Sequence, residues 1–266
     1  MSAYRLAKKE DLPKLTDLWQ SCFGDEPRQI GLFWDSLFER ILVFMEESAG
    51  AMLCALPLHL VDEAGESLPA AYLYAVCTHP DCRGQGLCAG LMAFAEEALR
   101  REGFALCCLV PSSASLFSFY EKLGYENAFY HRQYTLSAQK QKAKIRAITA
   151  EDYRNLRQMQ LYGNFIDYDP WLLNWQQLLC QGSGAGLYRI ETDDAVCCAA
   201  AEIYGQTLHI KELLPDCPEA AAALAAHLGC AQAHIRTEGD ALPFGMAKPL
   251  QEANLPEFSY LGFAFD

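Results

Sequence analysis

The chain has 266 residues, 52% of them apolar and 21% charged, and its 21 Lys and Arg stand against 34 Asp and Glu for a formal charge of −13. That length suits two domains of roughly 100 to 200 residues each, and the composition excludes a disordered or fibrous chain. The acid excess is shared by both halves, so neither carries the basic surface that a nucleic-acid backbone or an anionic membrane would need.

The opening MSAYRLAKKEDL has no apolar run of the kind a leader peptide carries, which points to a cytoplasmic chain. Two uncharged windows, 103–120 and 170–188, are broken by Pro111-Ser112-Ser113 and by Asn, Gln and Gly, so neither reads as a membrane span. The 12 cysteines sit singly or as adjacent pairs on apolar stretches, without CxxC or a His at metal-ligand spacing; free core thiols are expected, with no metal.

In chain order, a strand over 4–7 precedes a helix over 11–22, with Pro13 in its first turn and Gly24 past its end. A second helix is expected over 27–40. Strands follow over 41–47, 51–61 and 68–78, parted by Ser48-Ala49-Gly50 and by the turn at 62–66. An amphipathic helix over 85–101 stops at Gly103, and 105–110 is an apolar strand of the kind buried on both faces. A helix over 113–123, closed by Gly124, and a strand over 129–136 complete the order βααβββαβαβ.

Residues 137–144 are a polar connector, which divides the chain into modules at 1–136 and 145–266. After it the opening pattern recurs. Arg5, Glu10-Asp11 and Leu15 are matched at the same spacing by Arg146, Glu151-Asp152 and Leu156. Helices over 150–161 and 170–180, strands over 187–191, 195–204 and 207–214, a helix over 218–228 and a strand over 231–236 repeat the earlier order, as a tandem of two α/β modules would.

The chemistry concentrates in 72–90, where a strand runs into a tight loop holding Arg83, Gly84 and Gly86 and the loop opens a helix. The first amides of a helix lack internal partners and its dipole is positive there, so glycines that bring an anion close make this a phosphate or pyrophosphate site. Gly84-x-Gly86-x-x-Ala89 also fits the dinucleotide fingerprint. Its context argues against that, because the next strand ends in Pro111-Ser112-Ser113 without an acid for a ribose, and hairpins precede the loop.

Arg83-Gly84-Gln85-Gly86-Leu87-Cys88 resembles the acetyl-CoA loop of the GNAT N-acetyltransferases, and Phe119-Tyr120-Glu121-Lys122-Leu123-Gly124-Tyr125 resembles a second segment of that family. The resemblance covers 1–136. Thr78-His79-Pro80 and the Ser-rich turn at 111–115 are most similar to the enhanced-intracellular-survival type. What it implies is an α/β (α+β) tandem GNAT, or acyl-CoA N-acyltransferase, fold, with a mixed, mostly antiparallel sheet flanked by helices and a degenerate second module. It further implies that Val76, Cys77 and Thr78 bind the pantetheine arm and thioester through backbone groups. Gly84, Gln85, Gly86, Leu87, Cys88 and Ala89 would donate amides to the pyrophosphate, beside Arg83. Ser113 and Ser115 would lie along the pantetheine arm, and Cys88 stands where the family prefers Gly or Ala.

In the same resemblance Tyr120 protonates the leaving thiolate, although on its own pattern it better fits a core aromatic on the Leu116/Phe119/Leu123 stripe. No general base is visible. The strand over 68–78 has no acid, while Glu46, Glu47 and His59 fit ordinary sheet positions, and the closing run 259–266 invites a role for Asp266 but fits a plain strand better. Trp19, Phe33, Trp34 and Phe38 read as the core stripe of the first two helices. In the second half Pro215-Asp216-Cys217-Pro218 replaces the Arg/Gly loop, so no CoA is expected there. The expected activity is direct acetyl transfer from acetyl-CoA to a primary amine of a small molecule or peptide. The alternative is a non-catalytic acyl-CoA-binding or sensing protein.

Overall fold

A computed structural model describes residues 3–251 and 259–266. The chain forms two compact units. One comprises 3–59, 68–126 and 246–251, the other 60–67, 127–245 and 259–266.

The first unit is built from β1 (Tyr4–Leu6), α1 (Leu12–Phe23), α2 (Pro27–Leu37), β2 (Leu42–Glu46), β3 (Ala51–Val61), β4 (Ser67–Thr78), α3 (Leu87–Arg101), β5 (Leu106–Leu109) and α4 (Ala114–Glu121). Apolar residues at helical spacing decide how α1 and α2 lie: Leu15, Leu18 and Trp19 on one, Ile30, Phe33, Trp34 and Leu37 on the other, are buried. Gly24, in the left-handed region at φ 77°, ends α1 and donates its N–H to Gln20 O. Arg5 grips Asp11 through two bonds of 2.7 and 2.8 Å, which holds the Asp11 carboxyl well below its usual range and joins β1 to the start of α1. Strands β1, β2 and β3 are antiparallel, whereas β4 runs parallel to β5. Leu53, Leu73, Leu91, Leu99 and Tyr125 form the core beneath α3.

The second unit is built from β6 (Glu126–Ser137), β7 (Lys144–Ala147), α5 (Ala150–Gln158), β8 (Asn164–Asp167), α6 (Pro170–Gly182), β9 (Gly186–Glu191), β10 (Val196–Tyr204), β11 (Thr207–Leu214), α7 (Pro218–His227), β12 (Gln232–Pro249) and β13 (Ser259–Tyr260). Strands β7, β9, β10 and β11 are antiparallel neighbours and β11 is parallel to β12, the pattern of the first unit again. Thr149 caps α5 by accepting the Asp152 N–H at 3.1 Å, so Asp152 is held by Thr149 where its counterpart Asp11 is held by an arginine. Ala220 to Ala225 are all buried, and α7 lies close on Leu208, Ile210 and Ile235.

Two placements depart from the expected elements. The strand expected over 231–236 runs on to Pro249, and Met246 to Pro249 pair antiparallel with β5 of the first unit, where Met246 and Leu250 join the core. The strand expected over 129–136 belongs to the second unit. Two further strands, β7 and β8, were not expected; each has only four residues. The helix expected from Gln85 begins at Leu87, because Gly84 and Gly86 both take φ 76°.

Every one of the 12 cysteines is a free thiol and nine of them are buried, as their apolar settings imply. Among the described residues no helix is long and apolar enough to cross a membrane, and no three His, Cys, Asp or Glu side chains converge as a metal site would require.

Candidate active site

The candidate site lies in the first unit where β4, the loop after it, α3 and α4 meet. The register of β4 with β5 runs from Ala70↔Leu106 to Tyr72↔Cys108, and β4 then continues to Thr78 past Ala75, a non-glycine residue at φ 51°. Such a residue is uncommon in a strand and marks a local break in the regular pleat. Val76, Cys77 and Thr78 stand immediately beyond it.

Several contacts fix the loop. His79 N–H donates to Gly50 O at 2.9 Å, and Thr78 O accepts both Arg83 Nε at 3.3 Å and Cys22 Sγ at 3.4 Å. Gln85 Nε2 reaches Asp81 O at 3.4 Å. Gly50 is closely packed, since a Cβ there would stand 3.2 Å from Leu87 and 3.4 Å from Cys82. At Gly84 and Gly86 the requirement is the left-handed backbone, as a Cβ on either would meet nothing within 4 Å.

No side chain caps α3, and Gly90 N–H is the first to close a helical bond, to Gly86 O at 3.0 Å. The amides of Leu87, Cys88 and Ala89 therefore have no intrahelical acceptor, and Arg83 is exposed beside them. Open space above two left-handed glycines, free amides and a positive helix end fit a pyrophosphate. On α3 itself Gly90 admits the Tyr4 ring, which a Cβ would overlap.

Tyr120 lies on α4, 6% exposed, with its ring 5.2 Å from Phe119 and 5.9 Å from Tyr125. Burial pushes its phenol well above the ordinary value, and the neighbouring thiols of Cys88 and Cys77 add to the shift. The fold thus brings Tyr120 to the end of β4 and the first turn of α3. Cys88 is half-buried against the core, and burial pushes its thiol up to about 11. The Thr78 hydroxyl is buried without a hydrogen-bond partner, an orphan at the end of β4. Ser113 precedes α4 without capping it, and its hydroxyl lies 3.1 Å from that of Ser115.

Of the acids considered as a base, Glu46 is committed to the β2–β3 turn, where Oε2 accepts Ser48 N–H at 3.0 Å and Gly50 N–H at 3.1 Å. Asp266 belongs to the second unit and pairs with Arg236 and Lys211 there. Trp19, Phe33 and Trp34 are buried to 5% exposure or less and pack on one another, a core rather than a lining. Sequence inspection passed over Glu96, which is buried in α3, accepts Tyr125 OH at 2.9 Å and Lys248 Nζ at 2.6 Å, and so ties α3 to the segment after α4. Nothing in a single sequence marks it, because its cation is 152 residues away.

In the second unit β11 leads into Pro215-Asp216-Cys217 and then α7, whose first residue, Pro218, has no N–H to offer. Asp216 accepts Tyr134 OH at 2.5 Å and pairs with Arg132. Glu212, two residues before the end of β11 as Val76 is before the end of β4, is locked onto Arg157 at 3.0 Å with neither side chain exposed. Gly262 packs so closely there that a Cβ would overlap Glu212.

Residues 3–128 match the acetyltransferase (GNAT) domain family. Similar solved structures include a protein from Enterococcus faecalis V583 described as a probable N-acyltransferase, with 18% identity and a TM-score of 0.73 over 94% of this chain and 72% of that one. A GCN5-related N-acetyltransferase from Anabaena variabilis ATCC 29413 has 18% identity and a TM-score of 0.70 over 94% of this chain and 73% of its own. Eis1 from Mycobacterium abscessus has 14% identity and a TM-score of 0.63 over 87% of this chain and 65% of its own. At such identities the likeness is one of fold. Among curated proteins, none matches the sequence.

Proposed function

We propose, on the premise that residues 3–128 are an acetyltransferase domain of the GNAT family, that this domain transfers the acetyl group of acetyl-CoA directly to a primary amine of a small molecule or peptide. The observation that carries the proposal is the convergence of the glycine loop, the uncapped start of α3 and Tyr120 at the end of β4. Acetyl-CoA supplies the activated thioester. The amides of Leu87, Cys88 and Ala89 would hold its pyrophosphate, with Arg83 alongside, and the backbone from Val76 to Thr78 would orient its pantetheine arm and carbonyl. The Thr78 hydroxyl supplies a donor still lacking an acceptor. Tyr120 keeps its proton at neutral pH and would pass it to the departing thiolate.

The second unit would bind no acyl-CoA. Two prolines replace the glycine loop, and Glu212, paired with Arg157, stands near the end of β11 where the first unit has Val76. Thiol release from acetyl-CoA across a panel of polyamines, aminoglycosides, amino acids and peptide amines tests the assignment. Release with at least one amine is expected; acetyl-CoA binding without turnover on any of them would replace it with a non-catalytic acyl-CoA sensor.

A further inference from the structure

The second unit contains a cavity of about 450 Å³ that the acetyl-transfer chemistry does not use. Strand alternation places it. Leu208, Ile210, Ala233 and Ile235 turn toward α7, which leaves His209 and Lys211 of β11 and His234 and Arg236 of β12 on the opposite face. Parallel register sets His209 beside His234, with ring centroids 5.1 Å apart. Thr135 of β6 closes one side, its hydroxyl 2.7 Å from His234 Nδ1.

We propose that this cavity binds a small oxyanion, a carboxylate or a phosphoryl group, and that the side chain of Asp266 is its intramolecular occupant. The Lys211 and Arg236 side chains are only 11% and 13% exposed, whereas Asp266 is 50% exposed. Two cations so far from water need an anion close by. Glu202 reaches only Lys211, and the side chain of Asp266, which reaches both, is held at long range. Asp266 lies 3.4 and 3.1 Å from the Arg236 nitrogens and 3.6 Å from Lys211 Nζ, all beyond the roughly 2.7 to 2.9 Å of a strong charge-assisted bond. Lys211 Nζ makes its short contact, 2.5 Å, with the main-chain oxygen of Asp266 instead.

The two cations are positioned independently of Asp266. The Arg236 guanidinium lies 4.5 Å over the Phe244 ring, and Lys211 Nζ lies 5.8 Å from the Tyr204 centroid. Glu202, 3.5 Å from Lys211, cannot replace Asp266 as occupant, since it is 3% exposed and already accepts Tyr204 OH and Gln176 Nε2. Apart from Asp266, the polar side chains lining the cavity can all donate hydrogen bonds, and its volume far exceeds one carboxylate. A free oxyanion entering as Asp266 swings into solvent would meet a preformed Arg/Lys clamp with two imidazoles and a hydroxyl behind it.

Calorimetric titration of full-length Asp266→Asn with inorganic phosphate and with succinate, in chloride buffer, tests the proposal. Binding at least about tenfold tighter than in the unsubstituted protein is expected for one of the two anions. Phosphate alone identifies a phosphoryl site and succinate alone a carboxylate site. Adding Arg236→Gln should abolish that binding. The proposal is overturned if folded Asp266→Asn binds neither anion, or if the double variant binds as well as the single one. Should Asp266→Asn not fold, the imidazole proton resonances of His209 and His234 in the unsubstituted protein decide. They shift on saturation with one of the two anions, or the site does not exist.

Discussion

Arg157 Nε lies 3.0 Å from Glu212 Oε2 in the interior of the second unit, with both side chains entirely buried. Arg157 also donates to Ile166 O at 2.7 Å and to Leu261 O at 3.3 Å, while Glu212 accepts Tyr153 OH at 2.6 Å. A pair this dry is valuable only when complete, because either charge left alone keeps its desolvation penalty without its partner. Arg157→Met should therefore cost about 3 to 5 kcal/mol of stability, read as a large fall in Tm or in the denaturant midpoint. Adding Glu212→Leu should restore much of it; a double variant no better than the single one would show that the bonds to Ile166 and Leu261 matter more than the charge pair.

Gly86 separates backbone conformation from steric fit at the loop. Its φ of 76° is unfavourable for alanine, yet a Cβ there meets nothing within 4 Å. Gly86→Ala should cost about 1 kcal/mol; as the free loop relaxes to escape that strain, acetyl-CoA binding has to restore it and weakens by up to about fivefold. Gly65→Ala, at φ 80° in the turn between β3 and β4, should lose similar stability and leave acetyl-CoA affinity alone. Equal affinities for both variants would place the cofactor elsewhere.

Tyr120→Phe keeps the ring packed against Phe119 and Tyr125 and removes only the hydroxyl. If that hydroxyl delivers the proton, kcat falls roughly 10²-fold while acetyl-CoA affinity, measured calorimetrically, stays as it was. Undiminished turnover would reduce Tyr120 to a packing residue.

His131 gives the second unit an acid-sensitive stability. It is 3% exposed, neither ring nitrogen has a hydrogen-bond partner, and its ring centroid lies 4.5 Å from that of Phe244. Burial, with the Arg236 charge nearby, pulls its pKa down from 6.5 to about 4. Between those values the unfolded chain takes up a proton that the folded chain refuses, so stability falls as pH falls from 6.5 toward 4 and is unaffected by this group above 6.5. The slope from this residue is at most about 1.4 kcal/mol per pH unit. His131→Phe should flatten that part of the curve in denaturant titrations at several pH values; an unchanged slope would assign it to other groups.

The regular elements were legible in the sequence because their burial follows their period. Leu15, Leu18 and Trp19 mark α1, and the apolar run Leu106 to Leu109 marks β5. The loop at Gly84 and Gly86 was legible because only special backbone conformations call for glycines so placed. Ala75 was not, since alanine carries no sign that it will be held at φ 51°. Nor was the ion pair of Glu96 with Lys248, or that of Arg157 with Glu212, whose partners are brought together only by the complete fold. The destination of 246–249 was equally hidden, as Met-Ala-Lys-Pro carries no sign of which sheet it will join.

That last strand bears on how the protein can be dissected. The connector near 137–144 looks like the natural place to cut, yet a fragment ending there would lack Met246 to Pro249, the antiparallel neighbour of β5. The edge left bare would be Leu106-Cys107-Cys108-Leu109, wholly apolar and rich in unpaired amides and carbonyls. Expression of the first half alone should therefore yield aggregates, and a soluble fragment would need the far end of the chain grafted back or supplied as a separate peptide.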